Sequence, residues 1–185
     1  MTNQIENQQA YMEVTNITEV GEGMRVCLDF IDYLKSSEGV YVGNTGHGYM
    51  KVLSENRTSE GYPPRAFRIN VGAFHQYLFQ EEKTLYLDEV NPGENVWITY
   101  EEESRPLAVG RVKIEKRPFV RVECKTDKGS MISATLQHSP SVHLVEKTKG
   151  ETSVLNLEVG DQVLCLEDKP GRHLGEQVDE EIIEK

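Results

Sequence analysis

The sequence predicts a mainly β protein, built from two or three small barrel-like units that pack together and containing little helix. Between residues 25 and 167, apolar and polar residues alternate with a period near two in short segments, the pattern of strands with one buried face. These segments are rich in Val, Ile and Tyr and are bounded by Gly, Pro and Asn. No segment keeps a helical apolar stripe over several turns.

The alternating segments predict a series of strands along the chain. In order they are residues 25–30, 40–43, 49–53, 67–71, 74–79, 85–88, 96–100, 107–115, 119–124, 131–136, 142–146 and 162–167. The closing residues 175–185 fit either one helical turn or a last strand.

A short pattern recurs along the chain: an apolar residue, a turn with glycine and an acidic residue, and a strand that contains Val26, Val96 or Val163. A glycine in a tight turn before a strand is common at the entrance of small β-barrels. The spacings of 70 and 67 residues are too long for a solenoid, so the repeat favours a few packed barrel-like units.

The domain organisation follows from composition. Residues 1–15 begin with a polar, Gln/Asn-rich stretch and are predicted to form a flexible amino-terminal arm. Residues 16–185 form one predicted domain, with a possible division into about 16–80 and 81–185.

Composition excludes several classes of protein. A net charge of −11 disfavours non-specific nucleic-acid binding, because nucleic-acid phosphates need clustered Lys and Arg. The apolar runs are too short to span a membrane, and the amino terminus lacks the pattern of a secretory signal. The three cysteines are isolated in alternating segments, where we expect them to be small buried hydrophobes. A cytoplasmic setting is expected.

The first candidate site segment is residues 40–55. Gly43, Gly46 and Gly48 make a stretch whose backbone can approach a ligand closely, and His47 lies inside it. The alternative is a hairpin connection that uses its glycines for turn geometry. No Gly-Lys-Ser/Thr ending is present, so the segment is not a nucleotide-binding P-loop.

The second candidate segment is residues 63–78. Arg65 and Arg68 are close together in an acidic protein, and guanidinium groups bind carboxylate or phosphate bidentately. In a strand, Arg68 and Asn70 would share one face, and His75 follows. The alternative is a pair of surface ion pairs with the abundant glutamates.

Metal binding is conceivable on the residues alone. Glu55, His75 and Glu123 belong to residue types that bind divalent ions, but no HxxxH or HxH spacing fixes a site.

At these segments the chain resembles the type II, archaeal-type 3-dehydroquinate synthases, specifically their carboxy-terminal half. The family run Arg-Pro-Phe-Arg-Val-Asn-Ala-Gly, with a His shortly after, is similar to residues 65–72 followed by His75. The segment 109–123, the Thr-Leu-Gln at 135–137 and the closing residues 172–185 match as well, in the same order. The chain departs from the family pattern at Leu53, Ala66 and Pro140.

The resemblance implies a carbocycle-forming enzyme. The family closes a six-membered ring from an open-chain amino-keto sugar acid, with NAD for an oxidative deamination before an aldol step. A related branch makes 3-amino-4-hydroxybenzoate and depends on a divalent metal. The resemblance covers only the family's carboxy-terminal half, and the dinucleotide is expected in the amino-terminal half, so a metal ion (Mn, Mg, Zn or Fe) is the expected cofactor and NAD is doubtful.

The resemblance also suggests roles for the candidate residues on a small anionic substrate. Glu55 and His75, with Glu123 or His47, would hold a catalytic metal that polarises a ketone, and His47 or His75 would move the proton. Arg65, Arg68, Asn70 and Lys113 would bind the substrate. The alternatives are one subunit of a split NAD-dependent synthase, completed by a separate amino-terminal-half protein, and a non-catalytic small-molecule-binding module. A homo-oligomer is plausible in each case.

Overall fold

The computed structural model describes residues 9–58, 61, 63–81, 83–168 and 183–185. The predicted strand or turn at 175–185 therefore lies largely outside the described residues. Those residues form twelve strands, two 3-10 helices and no α-helix. The strands are β1 Gln9–Phe30, β2 Gly39–Thr45, β3 Gly48–Glu55, β4 Arg65–Ala73, β5 Tyr77–Gln80, β6 Lys83–Tyr86, β7 Asn95–Tyr100, β8 Glu103–Lys125, β9 Met131–Gln137, β10 His143–Glu146, β11 Gly150–Ser153 and β12 Gln162–Glu167. The 3-10 helices are Leu87–Glu89 and Val154–Asn156.

Two long antiparallel strands, β1 and β8, run through the whole sheet. They have 22 and 23 residues and pair from Glu13↔Lys125 to Phe30↔Val109. Three register shifts interrupt the pairing, and one of them lies at Gly21, whose φ is +90°. Such irregularities increase the local twist, which lets one strand take part in two differently oriented parts of a sheet.

The sheet closes on itself in two rings. One ring follows β1, β8, β7, β2, β3 and β4 back to β1, although β2 and β7 meet at a single pair, Gly39↔Thr99. The other follows β1, β12, β3 and β4 back to β1. Closure removes unpaired edges from the strands of these rings, so the predicted mainly β, barrel-like architecture is confirmed, although the barrel is irregular.

The 67-residue repeat corresponds to a repeated structural unit. A short hairpin, a 3-10 helix, a turn and a strand follow one another in β5–β6–β7 and again in β10–β11–β12. Val96 and Val163 lie near the start of the last strand of each copy and are buried. The first copy of the sequence pattern, at Val26, instead lies within the continuous strand β1.

The hydrophobic core follows from strand alternation. In β1, Val26, Leu28 and Phe30 enter the main apolar cluster, as do Ile69 and Val71 of β4. Strands β2, β3, β7, β8, β9, β10 and β12 contribute to the same cluster. Because neighbouring residues point to opposite faces, the polar residues between these apolar ones are turned to the other side of the sheet.

Several local expectations differ from the structure. Residues 9–15, assigned above to a flexible arm, form the first part of β1, where residues 9–13 pair with β12. Strands before and after residue 80 pair with each other, in β1–β8, β2–β7 and β3–β12, so the sheet crosses the suggested division at 80/81. Segments 107–115 and 119–124 are parts of one strand, β8, because Pro118 stays paired, with Glu22, and does not end it.

No helix among the described residues is long and apolar enough to cross a membrane.

Candidate functional site

Polar side chains gather on the face of β1, β4 and β8 that is turned away from the main apolar cluster. Asp29 is paired with Arg68 on β4 and with Arg111 on β8, and Cys27 with Asn70. Arg68 and Asn70 therefore share a face, as their spacing predicts.

Asp29 binds two arginines at the centre of this face. Arg68 donates from Nε and Nη2 to the two carboxylate oxygens at 2.8 and 3.1 Å, and Arg111 donates from Nε at 2.7 Å. Burial raises the pKa of Asp29, but the hydrogen bonds from Arg68 and Arg111 outweigh it and hold the pKa below its ordinary value. Arg68 thus pairs with a buried aspartate, and not with a surface glutamate.

Arg25 is the most deeply buried cation of the group. It donates to Glu115 at 2.7 Å and to Gln137 Oε1 at 2.6 Å, and Gln137 also accepts from Asn70 at 2.8 Å. Arg25 is only 5% exposed, and its Nε has no hydrogen-bond partner. A buried donor without an acceptor costs about 1–3 kcal/mol, so this N–H marks a place where a polar group would be stabilised.

Glu55 lies at the end of β3, beside the same arginines. It is 6% exposed, its Oε1 is 3.8 Å from Arg65 Nη1, and it interacts with the Ser141 hydroxyl. Burial raises the pKa of Glu55 above its ordinary value, although Ser141 and the charges of Arg68, Arg65 and Arg25 act to lower it. The carboxyl group can therefore exchange a proton closer to neutral pH than an exposed glutamate can.

We call this group of charged residues the arginine cluster. It contains six cations and three carboxylates: Arg25, Arg65, Arg68, Arg111, Lys113 and Arg117 with Asp29, Glu55 and Glu115. Cations are thus in excess at this place in a chain whose net charge is −11. The cluster is buried at Arg25 and Arg68 and opens to solvent at Arg111, whose side chain is 61% exposed.

The glycine-rich segment forms a β-hairpin, which was the alternative reading of its sequence. Thr45 pairs with Gly48, so Gly46 and His47 occupy the turn. A Cβ at Gly43 would collide with the carbonyl oxygen of Gly48, and a Cβ at Gly48 would lie 2.6 Å from the carbonyl oxygen of Leu166. These glycines thus allow close packing of backbone on backbone.

His75 meets the hairpin at a second polar group. Its Nε2 lies 2.8 Å from Asn44 Oδ1, which also accepts from the Thr135 hydroxyl, while Asn44 Nδ2 donates to Ser133. Burial and the nearby charge of Arg121 lower the pKa of His75. The two candidate segments therefore do meet, at Asn44–His75 as well as at Glu55–Arg65.

The remaining predicted residues lie apart from one another. His47 is half-buried in the hairpin turn, and its carbonyl oxygen accepts from the Asp168 amide. Glu123 accepts from Asn16 and lies 3.8 Å from Arg121. Lys113 is at the exposed end of the arginine cluster, 3.5 Å from Glu115.

The expected metal ligands are not grouped. Across the described ranges, no three His, Cys, Asp or Glu side chains are placed to hold a metal ion. Glu55, His75 and Glu123 instead bind different protein partners: Arg65, Asn44 and Asn16. The described residues thus do not fit a three-ligand ion site.

A surface cavity of about 610 Å³ lies beside the loop that follows β1. It is lined by residues that include Tyr33, Lys35, Glu38, Tyr100 and Arg105, and none of the predicted site residues lines it.

A family model described as the 3-dehydroquinate synthase II C-terminal domain matches residues 11–185. The chain belongs to this family. The match includes both candidate segments, the arginine cluster and the last residues of the chain.

Several curated relatives carry the name 3-dehydroquinate synthase. The protein of Methanocella arvoryzae is 39% identical over 173 residues, which cover 93% of this chain and 46% of the relative. Those of Methanospirillum hungatei and Halobacterium salinarum are also 39% identical and are covered to 56% and 45% of their own length. This member of the 3-dehydroquinate synthase II family thus spans about half the length of these relatives. No solved structure matches the chain.

Sequence reasoning missed several residues of the arginine cluster and of its surroundings. Arg25, Asp29 and Arg111 lie in predicted strands, and Gln137 and Ser141 lie around the end of β9. Arg25 and Asp29 each lie two residues from Cys27, in a strand whose other face is apolar. A charge on the second face of a core strand needs a partner, so this pattern was a usable signal for the cluster.

Proposed function

We propose that this chain binds the acidic group of a small open-chain keto acid at the arginine cluster and takes part in a carbocycle-forming reaction of the 3-dehydroquinate synthase type. The excess of cations over carboxylates at one place in an otherwise acidic chain carries the proposal. Guanidinium groups are suited to carboxylate and phosphate, and clustered charge attracts an anion from solution.

The proposed roles follow the position of each side chain. Arg111 and Lys113, at the exposed end, attract the anion, and Arg65 binds it next to Glu55. Asp29 fixes the guanidinium of Arg68, which would otherwise have several rotamers. The unpartnered Nε–H of Arg25 is available to a ligand oxygen or a water at the buried end.

Glu55 is the proposed proton-transfer group. Its raised pKa favours a carboxyl that can both accept and return a proton, as an aldol-type ring closure requires. The neighbouring guanidinium groups would stabilise the negative charge that develops on a keto oxygen when the adjacent carbon loses its proton. Because the described residues offer no three-ligand metal site, no step is assigned to a metal ion.

Binding of 3-dehydroquinate, the ring-closed acid that a reaction of this type would form, is measured by calorimetry and tests whether the arginine cluster binds the acidic group. Arg65→Gln removes one guanidinium from the cluster and should weaken binding roughly ten-fold or more, in line with about 1.5–3 kcal/mol for a charged hydrogen bond. Lys116→Gln is the matched control: it makes the same change of charge on the alternate face of β8, opposite Met24. Equal affinities of the two variants, or no binding by the parent chain, would overturn the proposal.

A second candidate stands beside the first. We propose as the alternative that the chain acts as one subunit of a split, NAD-dependent synthase; the chain covers 44–56% of the relatives' length. Under this reading, the purified chain binds the ligand but forms no ring, and activity appears only when a family amino-terminal half and NAD are added. Ring formation by the chain alone would exclude it, and elemental analysis of that active chain would then decide whether a divalent metal takes part.

A further inference from the structure

The last residues of the chain return to the glycine hairpin. Glu184 Oε1 accepts a hydrogen bond from the Gly46 amide at 2.6 Å, and Glu184 Oε2 accepts from the Tyr77 hydroxyl at 2.7 Å. Glu184 lies 138 residues from Gly46 in sequence, so a tertiary arrangement places this carboxylate.

The two donors are held in place without Glu184. Gly46 is fixed by the tight turn between β2 and β3. Tyr77 pairs with Gly43 in the backbone, and its ring stacks on Tyr86 with centroids 4.9 Å apart. Donors that are already in position bind an incoming carboxylate without a further ordering cost.

Throughout the described parts of the chain, no Lys or Arg forms an ion pair with Glu184, and hydrogen bonds from Gly46 and Tyr77 contact its carboxylate. Directional donors of this kind accept any carboxylate of similar geometry.

We propose that the Gly46 amide and the Tyr77 hydroxyl form a binding site for the carboxylate of a small organic acid, which Glu184 of the same chain occupies when no ligand is present. The site shares no residue with the arginine cluster and does not rest on the proposed function. Asn44 lies two residues before Gly46, and His75 lies two residues before Tyr77. A bound acid would therefore be next to the Asn44–His75 pair.

The Asn44–His75 pair places an imidazole next to this carboxylate site. Burial and the charge of Arg121 lower the pKa of His75, which favours the uncharged form of its imidazole. An uncharged imidazole can exchange a proton with a ligand held at the neighbouring carboxylate site.

Titration of the full chain with acetate, followed by ¹H–¹⁵N NMR, tests the proposal. In Glu184→Ala the site is open, and the Gly46 amide should shift saturably with acetate. The parent chain should need roughly ten-fold more acetate, because a tethered carboxylate competes at millimolar effective concentration. Lys185→Ala, which changes the neighbouring charge and keeps the carboxylate, should behave as the parent.

Two further variants make the result decisive. Glu184→Gln keeps the size of the side chain but removes its charge, and it should also open the site to acetate. Tyr77→Phe in the Glu184→Ala background removes one donor and should abolish the saturable shift. If Gly46 responds alike in the parent and in Glu184→Ala, or if removal of the Tyr77 hydroxyl changes nothing, the proposal is wrong.

Discussion

Asp29 pairs with two guanidinium groups, that of Arg68 at the buried end of the arginine cluster and that of Arg111 at its exposed end. Asp29→Asn leaves Arg68 buried without its counter-charge, which should lower the free energy of unfolding by about 3–5 kcal/mol. Arg111→Gln removes only the partner whose side chain is 61% exposed and should cost less than about 1 kcal/mol. Urea denaturation of both variants measures the two losses in the free energy of unfolding. Similar losses would show that the buried pair with Arg68 stabilises the fold no more than the exposed pair with Arg111.

The pH dependence of Asp29→Asn has a defined sign. The folded pKa of Asp29 lies below its ordinary 3.8, so the unfolded chain binds the proton more strongly. The stabilisation is present above pH 3.8 and disappears as the pH falls through the folded pKa. The difference in the free energy of unfolding between the parent and Asp29→Asn should therefore become smaller in acid.

Glu55 should show the opposite dependence. Its folded pKa is raised above the ordinary 4.5, so the folded chain binds the proton more strongly than the unfolded chain. Ionisation then destabilises the fold as the pH rises from 4.5 through the folded pKa. Glu55→Gln cannot ionise, so its stability relative to the parent should increase over this range in urea titrations at several pH values. If the difference in stability between the parent and Glu55→Gln does not change with pH, this would argue against a raised pKa and against proton transfer by Glu55.

Lys51 is a buried cation that belongs neither to the arginine cluster nor to the Asn44–His75 group. It is 3% exposed, and burial lowers its pKa from 10.5 to about 8 despite the charges of Glu101, Glu151 and Glu38. Lys51→Met should stabilise the fold by up to about 3 kcal/mol below pH 8. The advantage should disappear as the pH rises from 8 to 10.5, because the unfolded chain keeps its proton over that range. Thermal unfolding at pH 7 and pH 10 tests this.

At the scale of elements, β4 and β9 approach closely at Gly72. Its φ is +86°, and a Cβ there would collide with the carbonyl oxygen of Thr135 and lie 2.8 Å from Gln76 Nε2. Gly72→Ala should cost about 3 kcal/mol or more, from backbone strain together with overpacking. Gly93→Ala, at φ +92° with no atom within 4 Å of the added Cβ, isolates the strain alone and should cost about 1–2 kcal/mol. Comparable losses in chemical denaturation would exclude a tight β4–β9 contact.

Strand alternation predicted most elements because it is a local property of the sequence. It placed Arg68 and Asn70 on one face of β4, and both are buried there. It could not predict the partners of Asp29, because sheet register is set by long-range pairing: Asp29 is 39 residues from Arg68 and 82 residues from Arg111 in sequence. It also missed the first part of β1, whose exposed glutamates and asparagine hide the apolar positions Met12 and Val14.

The candidate site was predicted unevenly for the same reason. Glu55 lies near Arg65 and Arg68 because β3 and β4 are neighbours in both sequence and space, and Asn70 follows Arg68 on the same face of β4. His75 and Glu123 were combined by residue type alone, and the fold gives them separate partners, Asn44 and Asn16.

At the scale of the whole molecule, the shared strands predict one cooperative unit. Cys27 in β1, Cys124 in β8 and Cys165 in β12 are all buried, and burial raises the pKa of Cys27 to about 12. All three thiols should therefore react with a disulfide reagent at one slow rate, set by global unfolding. Faster labelling of Cys165 than of Cys27 would show that the chain opens in independent parts, as the division at 80/81 would require.

The pairing of residues 9–13 with residues 162–166 joins positions near opposite ends of the chain. At ordinary synthesis rates, the early stretch waits on the order of 10 s for the later one to be made. Its backbone hydrogen-bonding groups remain open to other chains during that time. We therefore expect the fold to be completed only after residues 162–166 have been made, so that crowding of nascent chains would be the main threat to a good yield.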